Sequence, residues 1–351
     1  MPEINASALH VQVPFSKRIR SAVGLWSIQF NVARRWSRVE ANPAQPDPLL
    51  PVRLYGIVGT WCEEDVIQAT VSNAFAQGCE RVFIVDNKSQ DNTLERAAAA
   101  GAEIARAYHT DYYDERRRLA EMTGVINAVS SEVDADHVWW LLADADEFVH
   151  GPAGLPIIDY LAGLDRRFRV VGARVFNHFP TGDPANVPDR HPLDYQPMCQ
   201  ELRMAWCSLG HWKHPLIRWD RSGPEIRLDT GFHRVRAPVR VGEPREGVFM
   251  HHFQYRNRPQ TYERLRRLCE AQEDGVVRSA RQDATVRGWS GVRLRWATLD
   301  YVYAQDWVHV NWPTPRGHRA GVNPRPWTSL VSAADASVAR WYATEKAKSA
   351  L

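Results

Sequence analysis

Between residues 52 and 150 the chain alternates short apolar runs with amphipathic stretches, and this alternation predicts most of the fold. Residues 53–59 (RLYGIVG) are an apolar run of strand length. Ile67, Thr70, Val71, Ala74 and Phe75 then recur at helical spacing, one face of a helix that Gly78 should end. Residues 81–85 (RVFIV) repeat the strand pattern and run into Asp86, followed by a turn-rich stretch over 87–92 and an alanine-rich helix over 93–100 closed by Gly101. A third strand over 102–108 leads to a helix with Leu119, Met122, Ile126 and Val129 inward, and a fourth over 137–143 (HVWWLLA) runs straight into Asp144. Strands separated by crossover helices imply an α/β fold, a mostly parallel sheet covered by helices on both faces. Ligands in such sheets bind beyond the carboxyl ends of the strands, so Asp86 and Asp144 are expected to share one crevice.

The flanks read differently. Residues 15–40 have the pattern of a basic amphipathic helix, with Ile19, Val23, Trp26, Phe30 and Ala33 on one face among Lys17, Arg18, Arg20, Arg34, Arg35 and Arg38. Such a helix can lie on an anionic membrane surface as a peripheral contact, or pack on the rest of the chain or on a second subunit, with packing preferred. Four prolines between residues 42 and 51 predict an extended linker. Past residue 150 the pattern gives a strand over 169–176, a helix over 258–273 and a terminal helix over 333–350. The expected organisation is an N-terminal helix and linker (1–51), a central α/β domain (52–260) and a C-terminal helical extension (261–351) with irregular structure.

Composition narrows the class. At 351 residues, with 44% hydrophobic and 24% charged residues, the chain is long enough to bury a large core. A formal charge of +3 without a basic run does not favour a nucleic-acid partner. The cysteines Cys62, Cys79, Cys199, Cys207 and Cys269 are odd in number and form no C-x-x-C pair, which suits a reducing, cytoplasmic setting. There is no signal-like segment and no run of eighteen apolar residues. Fourteen tryptophans are an excess, nine of them after residue 200; they are core fillers or platforms for sugar rings.

The chemistry concentrates at Asp144-Ala-Asp146-Glu147-Phe148. In extended backbone, residues i and i+2 point to one side, so Asp144 and Asp146 can face one ion. Hard divalent cations such as Mn²⁺ or Mg²⁺ select oxygen ligands, leave positions for phosphate oxygens and stabilise a departing diphosphate.

Asp86-Asn-Lys-Ser89-Gln-Asp91-Asn-Thr93 followed by Asp144-Ala-Asp146-Glu147-Phe148 resembles the D-N-x-S-x-D-x-T and D-x-D-E-F branch of GT-A fold, family 2 type glycosyltransferases. The resemblance spans residues 52–150, and weakly 250–270. It implies a GT-A (Rossmann-like) fold, a nucleotide-diphosphate sugar donor, a glycan, lipid or small-molecule acceptor, and probable inversion by single displacement. By position it gives Asp86 the base contact, with Asp91 in the same motif, and Asp144 and Asp146 the metal. Glu63 matches the acid of the family's N-E pair, although Cys62 stands where Asn is usual. His252-Phe-Gln-Tyr-Arg256-Asn257 resembles the family's H-Y-x-x-R-S segment, which makes His252 the third metal ligand, with His251 as its rival.

Around this frame, one of Arg116, Arg117 and Arg118, taken as Arg117, can neutralise a phosphate. Lys213, with His214 and Arg218, can complete the diphosphate pocket, and His233 is a further candidate. The base that takes the acceptor proton is expected among Asp183, Asp194, Glu201 and Asp229, with Asp229 preferred, and Trp206, Trp212 or Trp219 can stack on an acceptor. The rival readings are a nucleotidyltransferase, although Gly59-Thr-Trp-Cys-Glu-Glu is no Gly-rich phosphate loop, and a non-catalytic carbohydrate-binding protein on the same fold.

Overall fold

A computed structural model describes residues 38–110, 114–178, 190–202, 211–229, 234–235, 242–254, 256, 260, 311–313, 319–321 and 325–326. The chain divides into two compact units, residues 1–38 and 39–351, and the second holds the sheet. Strands in chain order are β1 (Arg38–Glu40), β2 (Leu54–Thr60), β3 (Arg81–Asp86), β4 (Glu103–Ala107), β5 (His137–Asp144), β6 (Glu147–His150), β7 (Val170–His178), β8 (Met198–Leu202), β9 (His211–Asp220), β10 (Leu228–Asp229), β11 (Arg234–Val235), β12 (Gly242–Pro244), β13 (Val248–His252), β14 (Asn311–Pro313), β15 (Arg319–Gly321) and β16 (Arg325–Pro326). The helices are α1 (Ile67–Ala76), α2 (Thr93–Ala99), α3 (Glu115–Glu132) and α4 (Ile157–Ala162).

The sheet runs β4-β3-β2-β5-β9-β7-β8-β16, with β13 joining β7 to β6. Strands β4, β3, β2 and β5 are mutually parallel, β9 is antiparallel to both β5 and β7, and β13 is parallel to β7. The expected α/β architecture is therefore present, mostly parallel, with an antiparallel strand inserted after the first four. Alternation along β5 explains why both faces are covered. Trp139, Leu141 and Ala143 enter a core under α1 and α4, whereas Val138, Trp140 and Leu142 enter a second core under α3. Side chains at i and i+2 share a face, so a strand apolar at every position must be buried twice. Leu119, Met122 and Ile126 are buried on the second side, with Val129 packed beside them.

Helix ends follow the sequence cues. Gly78 terminates α1 at φ +94°, and a Cβ there would lie 2.4 Å from Ile158 of α4. Only glycine takes that conformation at that approach without cost. One expectation is corrected. Residues 38–40, read as the end of the basic helix, form strand β1, paired with β12; Arg245 N–H donates to the Glu40 carbonyl at 3.0 Å. A non-local partner overrides the helical period there. The stretch after it is non-helical and anchored, with Asp47 N–H donating to Asp165 at 3.0 Å. Residues 15–37, the helix over 333–350 and nearly all of that over 258–273 lie outside the described residues. Among the described residues, no helix is long and apolar enough to cross a membrane.

Candidate active site

The carboxyl ends of three adjacent parallel strands line up. Thr60 of β2 pairs with Asp86 of β3, and Gly59 of β2 pairs with Asp144 of β5. At about 4.8 Å per strand, the two aspartates stand roughly 10 Å apart on one rim. Between them the Thr60 hydroxyl is buried and makes no hydrogen bond among the described residues. Sequence reasoning passed over Thr60, although its place at the last position of the central strand marked it.

On the β3 side, Asp86 is fully buried and accepts from Ser89 N–H at 2.8 Å and Ser89 Oγ–H at 2.6 Å. Burial raises its pKa, and the two Ser89 bonds oppose the rise. Ser89 Oγ in turn accepts from Cys62 N–H at 2.7 Å, and Thr93 Oγ accepts from Glu63 N–H at 2.8 Å. Asp91, two residues before α2 begins, accepts from Thr93 N–H at 3.1 Å and from Glu64 N–H at 3.4 Å. The D-N-x-S-x-D-x-T segment thus braces the β2–α1 loop by its N–H groups. The brace holds Cys62 at φ +55°, a left-handed conformation that Asn tolerates far better than Cys. Cys62→Asn should therefore raise stability by about 0.5 kcal/mol; a urea midpoint at or below that of the parent protein would refute the strain.

On the β5 side, Asp144 pairs with the Arg118 guanidinium and lies 3.6 Å from Lys213 Nζ. Glu147 is buried, pairs with Lys213 and accepts from Asp144 N–H at 3.2 Å, so it braces the acidic loop from within. Arg118 reaches Asp144 by lying across β2, where a Cβ on Gly59 would come within 3.2 Å of its Nη1. The absence of a side chain at Gly59 opens that path. Of the three arginines it is Arg118, buried, that meets the acids. Arg117, the one expected, is more than half exposed and pairs with Glu121 at 2.5 Å.

The two histidines of β13 separate cleanly. His251 is buried and bonded to His178 at 2.9 Å. His252 Nδ1 contacts Asn177 Oδ1 at 2.9 Å, and its Nε2 faces Asp146 Oδ2 at 3.6 Å. Because an amide oxygen only accepts, Nδ1 carries a proton, and Nε2 is the ring atom turned toward the carboxylate. An ion about 2.1 Å from each of two ligands sets them roughly 3 Å apart, so a small closure would complete the pair. Among the described residues, no three His, Cys, Asp or Glu side chains are already gathered as a metal cage. Ions of the Mg²⁺ type take one or two carboxylates and fill their remaining positions with water and phosphate oxygens, and Asp146 with His252 fits that demand.

A residue given no role in the sequence reading sits behind this pair. Arg256, 1% exposed, takes both oxygens of Asp65 at 2.7 and 2.9 Å, pairs with Glu63 and lies 4.0 Å from Asp146. Burial alone would lower the pKa of its guanidinium, but the Asp65 and Glu63 carboxylates hold it well above its usual range. Glu63 thus faces Arg256.

Other candidates stand elsewhere. Arg218 is buried against Asp220 at 2.7 Å and the Arg166 carbonyl at 2.9 Å, and His214 pairs with Glu243 at 2.8 Å. Trp219 fills the second core, Glu201 pairs with Arg174 at 2.8 Å and Asp194 with Arg190 at 4.0 Å. Asp229 ends β10 opposite Arg234; its side chain, with Asp183, His233, Trp206 and the Trp212 side chain, lies outside the described residues.

No family model matches the chain, and no curated protein matches it. Mannosyl-3-phosphoglycerate synthase from Rubrobacter xylanophilus aligns at 13% identity over 65% of this chain and 77% of that one, with a TM-score of 0.31. Glucosyl-3-phosphoglycerate synthase from Mycobacterium tuberculosis, in complex with Mn²⁺, uridine diphosphate and glucosyl-3-phosphoglycerate, aligns at 16% over 36% of this chain and 44% of that one, with a TM-score of 0.23. The same enzyme with Mg²⁺ and uridine diphosphate aligns at 14% over 40% and 51%, with a TM-score of 0.25. The chain spans about half the length of the mycobacterial structures. At these scores the likeness carries no weight for the chemistry.

Proposed function

We propose that this chain is a metal-assisted glycosyltransferase of the GT-A type, moving a sugar from a nucleoside-diphosphate donor to an acceptor other than nucleic acid. The observation that carries the reading is the apposition of the Asp146 carboxylate and His252 Nε2, 3.6 Å apart, on the rim where the parallel strands end. In this reading Asp86, held by Ser89, receives the nucleotide base, and the buried Thr60 hydroxyl offers a hydrogen bond between base and diphosphate. Arg118 and Lys213, already beside Asp144, share their charge with the diphosphate. Asp146 and His252 hold the divalent ion, Mn²⁺ or Mg²⁺, with Asp144 next to them. When bound, that ion neutralises the charge that grows on the leaving diphosphate. Asp229 remains the proposed acceptor base, and the acceptor is a glycan, lipid or small molecule. A cytoplasmic setting belongs to the same proposal, with the basic stretch before β1 as a peripheral membrane contact or a packing surface.

The nucleotidyltransferase alternative is disfavoured by the β2–α1 loop. Its Cys62, Glu63 and Glu64 N–H groups already donate to Ser89, Thr93 and Asp91, and so do not cradle a phosphate.

Thermal unfolding with Mn²⁺ and a uridine, guanosine or thymidine diphosphate tests the reading. A transferase should gain more from metal and nucleotide together than from either alone, and Asp86→Ala should weaken the nucleotide with metal binding intact. Stabilisation by a free glycan and by no nucleotide would favour the non-catalytic carbohydrate-binding protein instead.

A further inference from the structure

We propose that Arg256 is a positioning residue that couples the Asp146–His252 pair to the β2–α1 loop, so that a divalent cation and a nucleoside each strengthen the binding of the other. The proposal rests on the donor-site reading above.

The guanidinium joins three segments. Its Nε and Nη2 take the two oxygens of Asp65, Nη2 also reaches Glu63, and Nη1 donates to the Phe253 carbonyl at 3.0 Å while lying 4.0 Å from Asp146 Oδ2. Phe253 N–H returns to the Asp146 carbonyl at 2.9 Å, so the acidic loop, His252 and Arg256 form one hydrogen-bonded unit. In the other direction the path continues through the loop. Glu63 is followed back to Cys62, whose N–H donates to Ser89 Oγ at 2.7 Å, and Ser89 Oγ–H donates to Asp86 at 2.6 Å. An unbroken series of short contacts thus links the proposed ion ligand Asp146 to the proposed base ligand Asp86.

Charge gives this series a reason to respond. Glu63, Asp65 and Asp146 carry three negative charges and Arg256 one positive charge, leaving two negative charges on the four side chains. A divalent cation beside Asp146 would bring that group to neutrality. Asp146 would then turn toward the ion and leave the guanidinium more fully to Glu63 and Asp65, which tightens the loop that holds Ser89 against Asp86. Lysine keeps the charge but has no planar fork to span two carboxylates and a carbonyl.

The test measures binding of a nucleoside without phosphates, which removes direct contact between ion and diphosphate. Uridine, guanosine and thymidine are titrated against the full-length protein with and without Mn²⁺, and Mn²⁺ is titrated alone. In the parent protein Mn²⁺ should tighten the nucleoside that binds by roughly five-fold or more, the usual lower range of coupled sites. In Arg256→Lys that factor should fall to about one while both ligands still bind. Should Arg256→Lys fail to fold, Glu63→Gln, which leaves Arg256 its two bonds to Asp65, should still cut the factor by at least half. A parent protein that binds Mn²⁺ and a nucleoside independently, or an Arg256→Lys variant with the factor intact, would overturn the coupling and leave the donor site standing. A parent protein that binds neither ligand would overturn both.

Discussion

Asp146→Ala is expected to lower Mn²⁺-dependent nucleoside-diphosphate binding, and sugar transfer with it, by at least roughly 100-fold while the fold stays intact. The prediction separates two acids that look equivalent in the D-x-D pattern. Asp144 is paired with Arg118 and lies near Lys213, and both cations are buried. Removing Asp144 would take a carboxylate away from two buried cations, Arg118 and Lys213, so loss of binding in Asp144→Ala would report on folding as much as on the ion. Asp146 differs. Its cationic neighbour Arg256 keeps Asp65 and Glu63 at hydrogen-bonding distance when the third carboxylate is gone. The Asp146 carbonyl also keeps its bond from Phe253 N–H, which an alanine preserves. Calorimetric titration of Mn²⁺ into protein saturated with nucleoside diphosphate, beside a thermal melt of the same variant, reads the two effects apart. An Asp146→Ala protein that melts normally and binds Mn²⁺ normally would remove the ion from the rim, and with it the proposed mechanism.

Strands β2, β3 and β5 were legible because each is an apolar run buried on both faces of the sheet, whereas β4 at the edge is exposed along its length. Residues 53–59, 81–85 and 137–143 needed no knowledge of their partners, since an unbroken apolar run between helices can only lie inside a parallel sheet. The choice among Arg116, Arg117 and Arg118 was within reach too. Arg118, Met122 and Val125 follow the i, i+4, i+7 spacing of the buried face of α3, so the helical period that placed Leu119 and Met122 inward also turns Arg118 toward the sheet. Arg256 was harder. Its partners Glu63 and Asp65 lie 193 and 191 residues earlier, and no local pattern signals which distant carboxylates a buried guanidinium will neutralise. Strand β1 was misread for the same reason: three residues that continue a helical period became a strand because β12 offered an edge.

Acidification from pH 7.5 to 5.5 is expected to cost the fold about 4 kcal/mol, a large share of the stability of an ordinary domain. The cause lies under the site. His150 of β6, His178 of β7 and His251 of β13 are buried together with the half-buried His191 beside them, the ring centres 5.0 Å apart for His178 and His251, 5.4 Å for His150 and His251, and 5.7 Å for His150 and His191. Phe148, Phe176 and Phe253 close around them at 4.4, 5.6 and 4.3 Å from His191, His251 and His178. Burial lowers the pKa of His150 and His178 to about 3, with the Gln196 carbonyl partly opposing this at His178, and burial with neighbouring imidazoles holds His191 and His251 well below the usual range. His178 Nδ1–H donates to the Gln196 carbonyl at 2.7 Å, so in the neutral ring its Nε2 accepts from His251 Nδ1–H at 2.9 Å. The sign follows from linkage. Above pH 6.5 both folded and unfolded imidazoles are neutral and stability is flat. Below it the unfolded chain takes up protons that the folded chain refuses, and stability falls continuously toward pH 3. At pH 5.5 each buried ring contributes a loss of about 1.4 kcal/mol, and the three together about 4 kcal/mol. Because these strands also carry Glu147, Asn177 and His252, donor binding should disappear with the fold over the same interval. Urea denaturation followed by tryptophan fluorescence at half-unit steps between pH 7.5 and 5.5 decides the matter: a midpoint that does not move would mean that the imidazoles are solvated or paired with acids, and that the cluster does not govern acid stability.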